Sequence, residues 1–225
     1  MATQDFDKLN ILKRRSIPYS EYFGDMELSE KQRARRRELA LILEDILAIW
    51  FTYMQSVIDT SVLNETSAKQ ELTYNMYDAL DGKDYFTDDE LAKYVNNFVD
   101  DTYKATVENL QKYPMDYDYT GKTPYWTSDD RAMFMAENEA NTICNNAEYL
   151  EAVKEGKTHK IWVTYLDNRV RPTHIVVEGA KLPIDVYYDV GEAHMLFPKD
   201  VTSEYSTGAS HPEETVNCRC SVVYI

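Results

Sequence analysis

The feature that most restricts this chain is a change of hydrophobic period close to Gly156. Before it, apolar residues return every three or four positions, the spacing of one face of a helix. After it they come in short bursts such as Ile161-Trp162-Val163-Thr164-Tyr165, and branched or aromatic side chains favour extended backbone. Helices first and short strands afterwards predict an α+β fold: a helical N-terminal region followed by a helix packed on a small, mostly antiparallel β-sheet.

Helix starts are written into the chain. Ser29-Glu30-Lys31-Gln32 and Thr87-Asp88-Asp89-Glu90 have the capping-box form, a hydroxyl followed three residues later by Gln or Glu. The first should open a long helix with Leu39, Ile42, Leu43, Ile46, Trp50, Tyr53, Met54 and Val57 on its apolar face, ending near 59–63. The second should open a helix carrying Leu91, Val95, Phe98, Thr102, Ala105 and Leu110, closed before Pro114. Between them, Ser67 is placed to cap a shorter helix that stops at Gly82. Thr127-Ser128 starts a further helix with Met133, Ala136, Ala140, Ile143, Ala147 and Leu150 in register. Residues 1–28, with Pro18 and Gly24, read as irregular. The Tyr-, Asp-, Gly- and Pro-rich stretch 115–124 suggests a boundary, with a helical N-terminal region over 1–125 and a second domain over 126–225.

Beyond Gly156, Asp167-Asn168 fits a two-residue hairpin turn, because both residues tolerate positive φ. Pro172 rules out an inner strand there and leaves 173–179 open between a short helix and an extended segment. Short strands are expected within 181–188 and 195–197, a polar loop over 200–215, and a last strand over 216–224.

Composition sets limits. A hydrophobic content of 44% supports a real core. No run of about 18 apolar residues is seen, so no membrane span is expected, and no signal-like leader opens the chain, so a cytoplasmic origin is expected. Three cysteines, two of them one residue apart, do not make a secreted disulfide framework. A net charge of −15 should repel nucleic acid from the bulk of the protein. The first 37 residues nevertheless hold nine basic against six acidic side chains, a net +3 that leaves −18 on the rest. Lys8, Lys13, Arg14 and Arg15 read either as a solvated tail or as an arm for DNA or an acidic partner. Arg33 to Arg37 stand at the unfavourable end of a helix dipole, which points to a partner surface.

Candidate chemistry is confined to the last third. Cys218 and Cys220, one residue apart on an expected strand, would present both sulfurs on one face. With His174, His194 or His211 from the same half they could hold a tetrahedral Zn²⁺; His174 is the preferred third ligand. The spacing is shorter than that of zinc knuckles, and two core thiols without metal are the competing reading. Asp167, Arg169, Arg171 and His174 could cleave a phosphoester, with arginines on the anion and the imidazole as acid or base. The alternative is a charged bend whose arginines pair with acids of the preceding helix. A zinc-deaminase motif, a glycine-rich phosphate loop, a nucleophile elbow and HExxH are all absent from the sequence.

Taken in order, Lys160-x-Trp162, Asp167-x-Arg169-x-Arg171-x-x-His174, Gly179, Pro198-x-Asp200 and Asn217-Cys218-Arg219-Cys220 form a pattern, preceded by Arg131, Ala136-Glu137-Asn138-Glu139 and Asn145. That pattern resembles the phage Mu F-like head morphogenesis proteins, the minor head or minor capsid proteins of tailed phages, over residues 127–225. The resemblance implies a Mu F-like minor head domain over 126–225 and a virion protein placed in the head interior or at the portal vertex, made in the host cytoplasm. It implies the portal and other head proteins as partners, association of some members with DNA during packaging or ejection, and no enzymatic activity firmly attached to the module; from composition, the basic segment 8–37 is the candidate DNA contact, and no membrane and no obligatory cofactor are expected. Some relatives carry a toxin domain after the signature. Here five residues follow Cys220, so none is expected. The competing function is a nuclease or toxin-like nucleotide-acting enzyme using His174, Arg169 and Arg171.

Overall fold

Both capping boxes form, and each closes its own helix start. Ser29 Oγ accepts the Gln32 amide while Gln32 Oε1 accepts the Ser29 amide at 2.9 Å. Thr87 and Glu90 make the same reciprocal pair. The computed structural model describes residues 28–118 and 120–225, so Lys8, Lys13, Arg14 and Arg15 lie outside the described residues.

The helices are α1 (Glu30–Asp59), α2 (Glu65–Leu80), α3 (Asp88–Lys112) and α4 (Asp129–Lys154). The strands are β1 (His159–Val163), β2 (Lys181–Pro183), β3 (Tyr188–Val190), β4 (Ala193–Met195) and β5 (Ser221–Tyr224). Two short helices, α5 (Pro172–Val176) and α6 (Pro212–Thr215), sit between strands. Among the described residues helices predominate and the sheets are small and antiparallel, an α+β fold.

α1 packs chiefly along α4. Leu39, Leu43, Leu47, Trp50 and Met54 of α1 are buried in one apolar cluster with Ala132, Ala136, Ala140, Ile143 and Cys144 of α4. Alanines on the facing side let the two helices approach closely. Ile42, expected on that face, is 43% exposed, and Leu47 takes the core position instead. α2 and α3 add Leu72, Met76, Leu80, Val95 and Val99 to the same cluster. The indole of Trp50 donates to the carbonyl of Ala68 at 2.8 Å and pins α2 to α1. The apolar interior therefore runs through α4 into the N-terminal helices on both sides of the 115–124 connection. By length and composition alone α1 is apolar enough to cross a membrane; its buried side packs against α4.

Asn64, not Ser67, caps α2, its side chain accepting the Ser67 amide at 3.0 Å. Asp167-Asn168 does not make a two-residue hairpin. Asp167 instead closes a local turn, its carboxylate accepting the Arg169 amide at 2.9 Å, and α5 follows with Pro172 at its first turn. Only then does the chain return as β2. β1 is the centre of a three-stranded antiparallel sheet in the order β2-β1-β5, with Trp162 opposite Val222 and Lys160 opposite Leu182. β3 and β4 form a separate hairpin. The last strand is shorter than expected: Cys218 and Cys220 precede β5 rather than lying on it.

Candidate functional site

The signature residues converge on one region beneath α4. Trp162 at the centre of β1 is fully buried and packs edge-on against the His174 ring at 5.8 Å and the Tyr188 ring at 5.1 Å. Gly179 holds φ at +71°, a conformation costly for other residues, and its amide donates to the Trp162 carbonyl at 2.9 Å. That bond fixes the α5–β2 connection to the sheet and so places His174 under the tryptophan.

His174 is 1% exposed. Its Nδ1 lies 3.3 Å from Cys220 Sγ and 3.5 Å from Cys218 Sγ, and its Nε2 lies 3.0 Å from Glu214 Oε2. Glu214 also accepts from Thr173 Oγ at 2.8 Å. The thiols meet on the imidazole even though they are off the strand, because Asn217 turns the chain with φ at +58° just before them. Burial would raise the Cys218 thiol, but hydrogen bonding from Cys220 and His174 outweighs it and holds that thiol well below its ordinary value. Cys220 is pushed up, first by its hydrogen bond to Cys218 and then by burial. His194 and His211 take no part; they bind Asp189 and Glu213 near the surface. Cys144 is a core residue of α4, its thiol raised to about 11 by burial.

The charged bend closes over this centre. Asp167 accepts from Arg219 Nη2 at 2.6 and 2.8 Å and from Arg169 Nε at 3.0 Å. Burial alone would raise its carboxyl, but those arginines hold it at about 2. The guanidinium of Arg219 also lies over the Tyr165 ring. Arg171 donates to the Val216 carbonyl.

Lys160, on the same face of β1 as Trp162, and Asp200 are both fully buried. Lys160 donates to the Ile184 carbonyl at 2.7 Å and lies over the Tyr188 and Tyr149 rings; burial lowers its ammonium to about 8, against the pull of Asp200 and Asp185. Asp200 accepts the amides of Leu196 at 2.9 Å and Ser203 at 3.0 Å. Burial still raises its carboxyl above the usual range.

Sequence reasoning missed what joins these loops to the helices. Asn138, Asn141 and Asn145 form a buried polar stripe on α4, and each bridges two neighbours. Asn138 Oδ1 accepts from Lys199 Nζ at 2.5 Å and the Asn217 amide at 2.9 Å. The Asn141 and Asn145 amide nitrogens donate to the carbonyls of Cys218 at 3.0 Å and Pro198 at 2.8 Å. Their oxygens accept Arg36 Nε at 2.8 Å and Nη2 at 2.7 Å. Arg36, expected on a partner surface, is fully buried and also paired with Glu148 at 2.5 Å. Arg35 pairs with Glu151 at 2.7 Å. The signal for this stripe was present: asparagines three and four residues apart in mid-helix are poor helix formers unless something holds them.

A search of curated proteins and a search of solved structures each return no significant match. A sequence model of the family described as Phage Mu protein F like protein matches residues 101–223, more than half of the chain and all of the segment from Lys160 to Cys220. On that match, the chain belongs to the phage Mu F-like protein family.

Proposed function

We propose that this protein is a portal-associated minor head protein, acting in head morphogenesis and in packaging or ejection of the viral genome. Family membership supports the coarse part, a structural protein of the phage head and hence of the virion. The finer part rests on one observation: most of the signature side chains, among them Lys160, Trp162, His174, Asp200, Cys218 and Cys220, are turned inward and tie the loops to each other and to α4. A scaffold that must hold its shape while docked needs this arrangement. Large apolar side chains are left outside it: Val176 of α5 is 82% exposed, and Ile175 and Leu166 are exposed too, and such surface suits attachment. Of the basic segment, Arg36 is internal, Arg35 pairs with Glu151 and Arg33 pairs with Glu30; its other basic side chains are Lys8, Lys13, Arg14, Arg15, Lys31 and Arg37, and a DNA contact would draw on these.

The nuclease reading is less well supported. The cavity that touches His174, Arg169 and Arg171 has a volume of about 10 Å³, the scale of one water and too small for a nucleotide. A larger cavity of about 300 Å³ between α3, α4 and the 199–216 loop contains none of the three.

The test is co-sedimentation of purified protein with procapsids and with isolated portal. Retention on portal-bearing shells, and its loss on shells assembled without portal, is the expected result. Equal binding to both, or to neither, refutes portal association. Turnover of DNA, RNA or a nucleotide that disappears in His174→Ala would replace this reading with the enzymatic one.

A further inference from the structure

His174, Cys218 and Cys220 are brought together from segments more than forty residues apart, and their ligand atoms all lie within 4.8 Å of one another. We propose that these three residues bind a Zn²⁺ ion through Nδ1 and two thiolates, with Glu214 positioning the imidazole and a water completing the tetrahedron. The proposal is independent of the portal assignment.

The spacing is that of a tetrahedral site. With metal–nitrogen bonds of about 2.0–2.1 Å and metal–sulfur bonds of about 2.3 Å, the nitrogen–sulfur edge of a tetrahedron is about 3.5 Å. The two observed edges are 3.3 and 3.5 Å. A single N–H can point at one sulfur, whereas an ion shared among all three atoms accounts for two near-equal distances. Two thiolates and an imidazole are a donor set that favours zinc over hard cations such as Mg²⁺ and Ca²⁺.

The surroundings fit the same assignment. Nε2 faces the Glu214 carboxylate and can keep its proton there, so Nδ1, which faces the two sulfurs, is the nitrogen left for a metal. A carboxylate behind a ligating histidine fixes its tautomer and orientation. Glu214 is held in turn by Thr173 Oγ. Cys218 Sγ accepts the Cys220 amide at 3.4 Å, a contact that favours thiolate. On binding, bonds to the metal replace whatever S–H and Nδ1–H bonds the three ligands carry, and the displaced protons pass to solvent. The recess of about 10 Å³ beside the cluster is on the scale of one water. With no volume for a substrate, the ion would act as a cross-link tying α5 to the chain segment entering β5.

The full chain, expressed with zinc and purified with a thiol reductant but no chelator, is expected to carry about one equivalent of zinc. Cys144→Ser should keep it and Cys218→Ser should lose it. Glu214→Gln leaves all three ligands in place and should weaken zinc roughly 10–100-fold in competition with a chromogenic chelator. Because Cys218→Ser can simply fail to fold, the wild-type protein provides a second readout: Co²⁺ added after zinc removal should give thiolate-to-cobalt and tetrahedral absorption bands. Folded, reduced wild-type protein that takes up neither Zn²⁺ nor Co²⁺ overturns the proposal. So does immediate alkylation of Cys218 and Cys220 in the protein as purified, which would mark a free thiolate–imidazolium pair.

Discussion

Replacing Arg36 with alanine removes one guanidinium from five acceptors at once: Glu148 Oε1 and Oε2, Asn141 Oδ1, Asn145 Oδ1 and the Gln32 carbonyl. Arg36 is fully buried and the Glu148 side chain is 10% exposed, so water screens the pair little. Breaking a buried ion pair by removing one member costs about 3–5 kcal/mol. Each acceptor left buried without a donor costs about 1–3 kcal/mol. These contributions overlap, because water entering the vacated space serves several acceptors together, and a net loss of about 4 kcal/mol is expected. Against a typical total of about 5–15 kcal/mol this is a large fraction. For a chain of this size it corresponds to a fall in Tm of roughly 8–16 °C. Urea unfolding followed by far-ultraviolet circular dichroism should show a lower midpoint at unchanged slope. Arg35→Ala is the matched control, since its bridge to Glu151 is at the surface and should contribute at most about 1 kcal/mol. If Arg36→Ala and Arg35→Ala lose the same amount, Arg36 is not the buried tie between α1 and α4 described above.

Asp167 should make stability acid-sensitive. Its folded pKa is held down to about 2, from an ordinary value of 3.8, so its contribution is present above about pH 4 and is lost as pH falls from about 4 toward 2. The shift corresponds to an upper figure of about 2 kcal/mol at neutral pH, reduced by solvent at a side chain 23% exposed. The stability gap between wild type and Asp167→Asn should therefore close over that acid range, and a gap that stays constant would show that Arg219 does not act through the charge. Gly208→Ala should be more damaging than an ordinary loop substitution, because a Cβ there would stand 2.0 Å from the Asp200 carbonyl oxygen. Loss of more than about 2 kcal/mol in chemical denaturation is expected, and a neutral effect would mean that the 200–208 loop yields easily.

The elements legible in the sequence are those specified by neighbours. Ser29, Thr87 and Ser128 announce α1, α3 and α4 because a cap acts over three residues. The start of α2 was read at Ser67 and belongs to Asn64, since both residue types cap helices and only the folded chain selects one. The Asp167-Asn168 bend went wrong for a different reason. Turn propensity is local, but this connection must also seat His174 against Trp162, and that requirement comes from β1 rather than from the turn residues. The meeting of His174 with Cys218 and Cys220 was anticipated from residue type, though through a strand alternation that is not what achieves it. Glu214 went unnoticed inside what read as a polar loop. Arg36 was assigned to the surface because charge is ordinarily solvated, and its partners lie more than a hundred residues away.

The amide stripe on α4 narrows the substitutions these positions can accept. At Asn141 and Asn145 the oxygen end receives a guanidinium and the nitrogen end serves a loop carbonyl. An aspartate would suit the cation and repel the carbonyl; a lysine would do the reverse; a leucine would strand both. Only a group that donates at one end and accepts at the other satisfies the two flanks together, so α1 and the closing loops are free to drift in sequence only so long as each keeps its own polarity toward that shared wall.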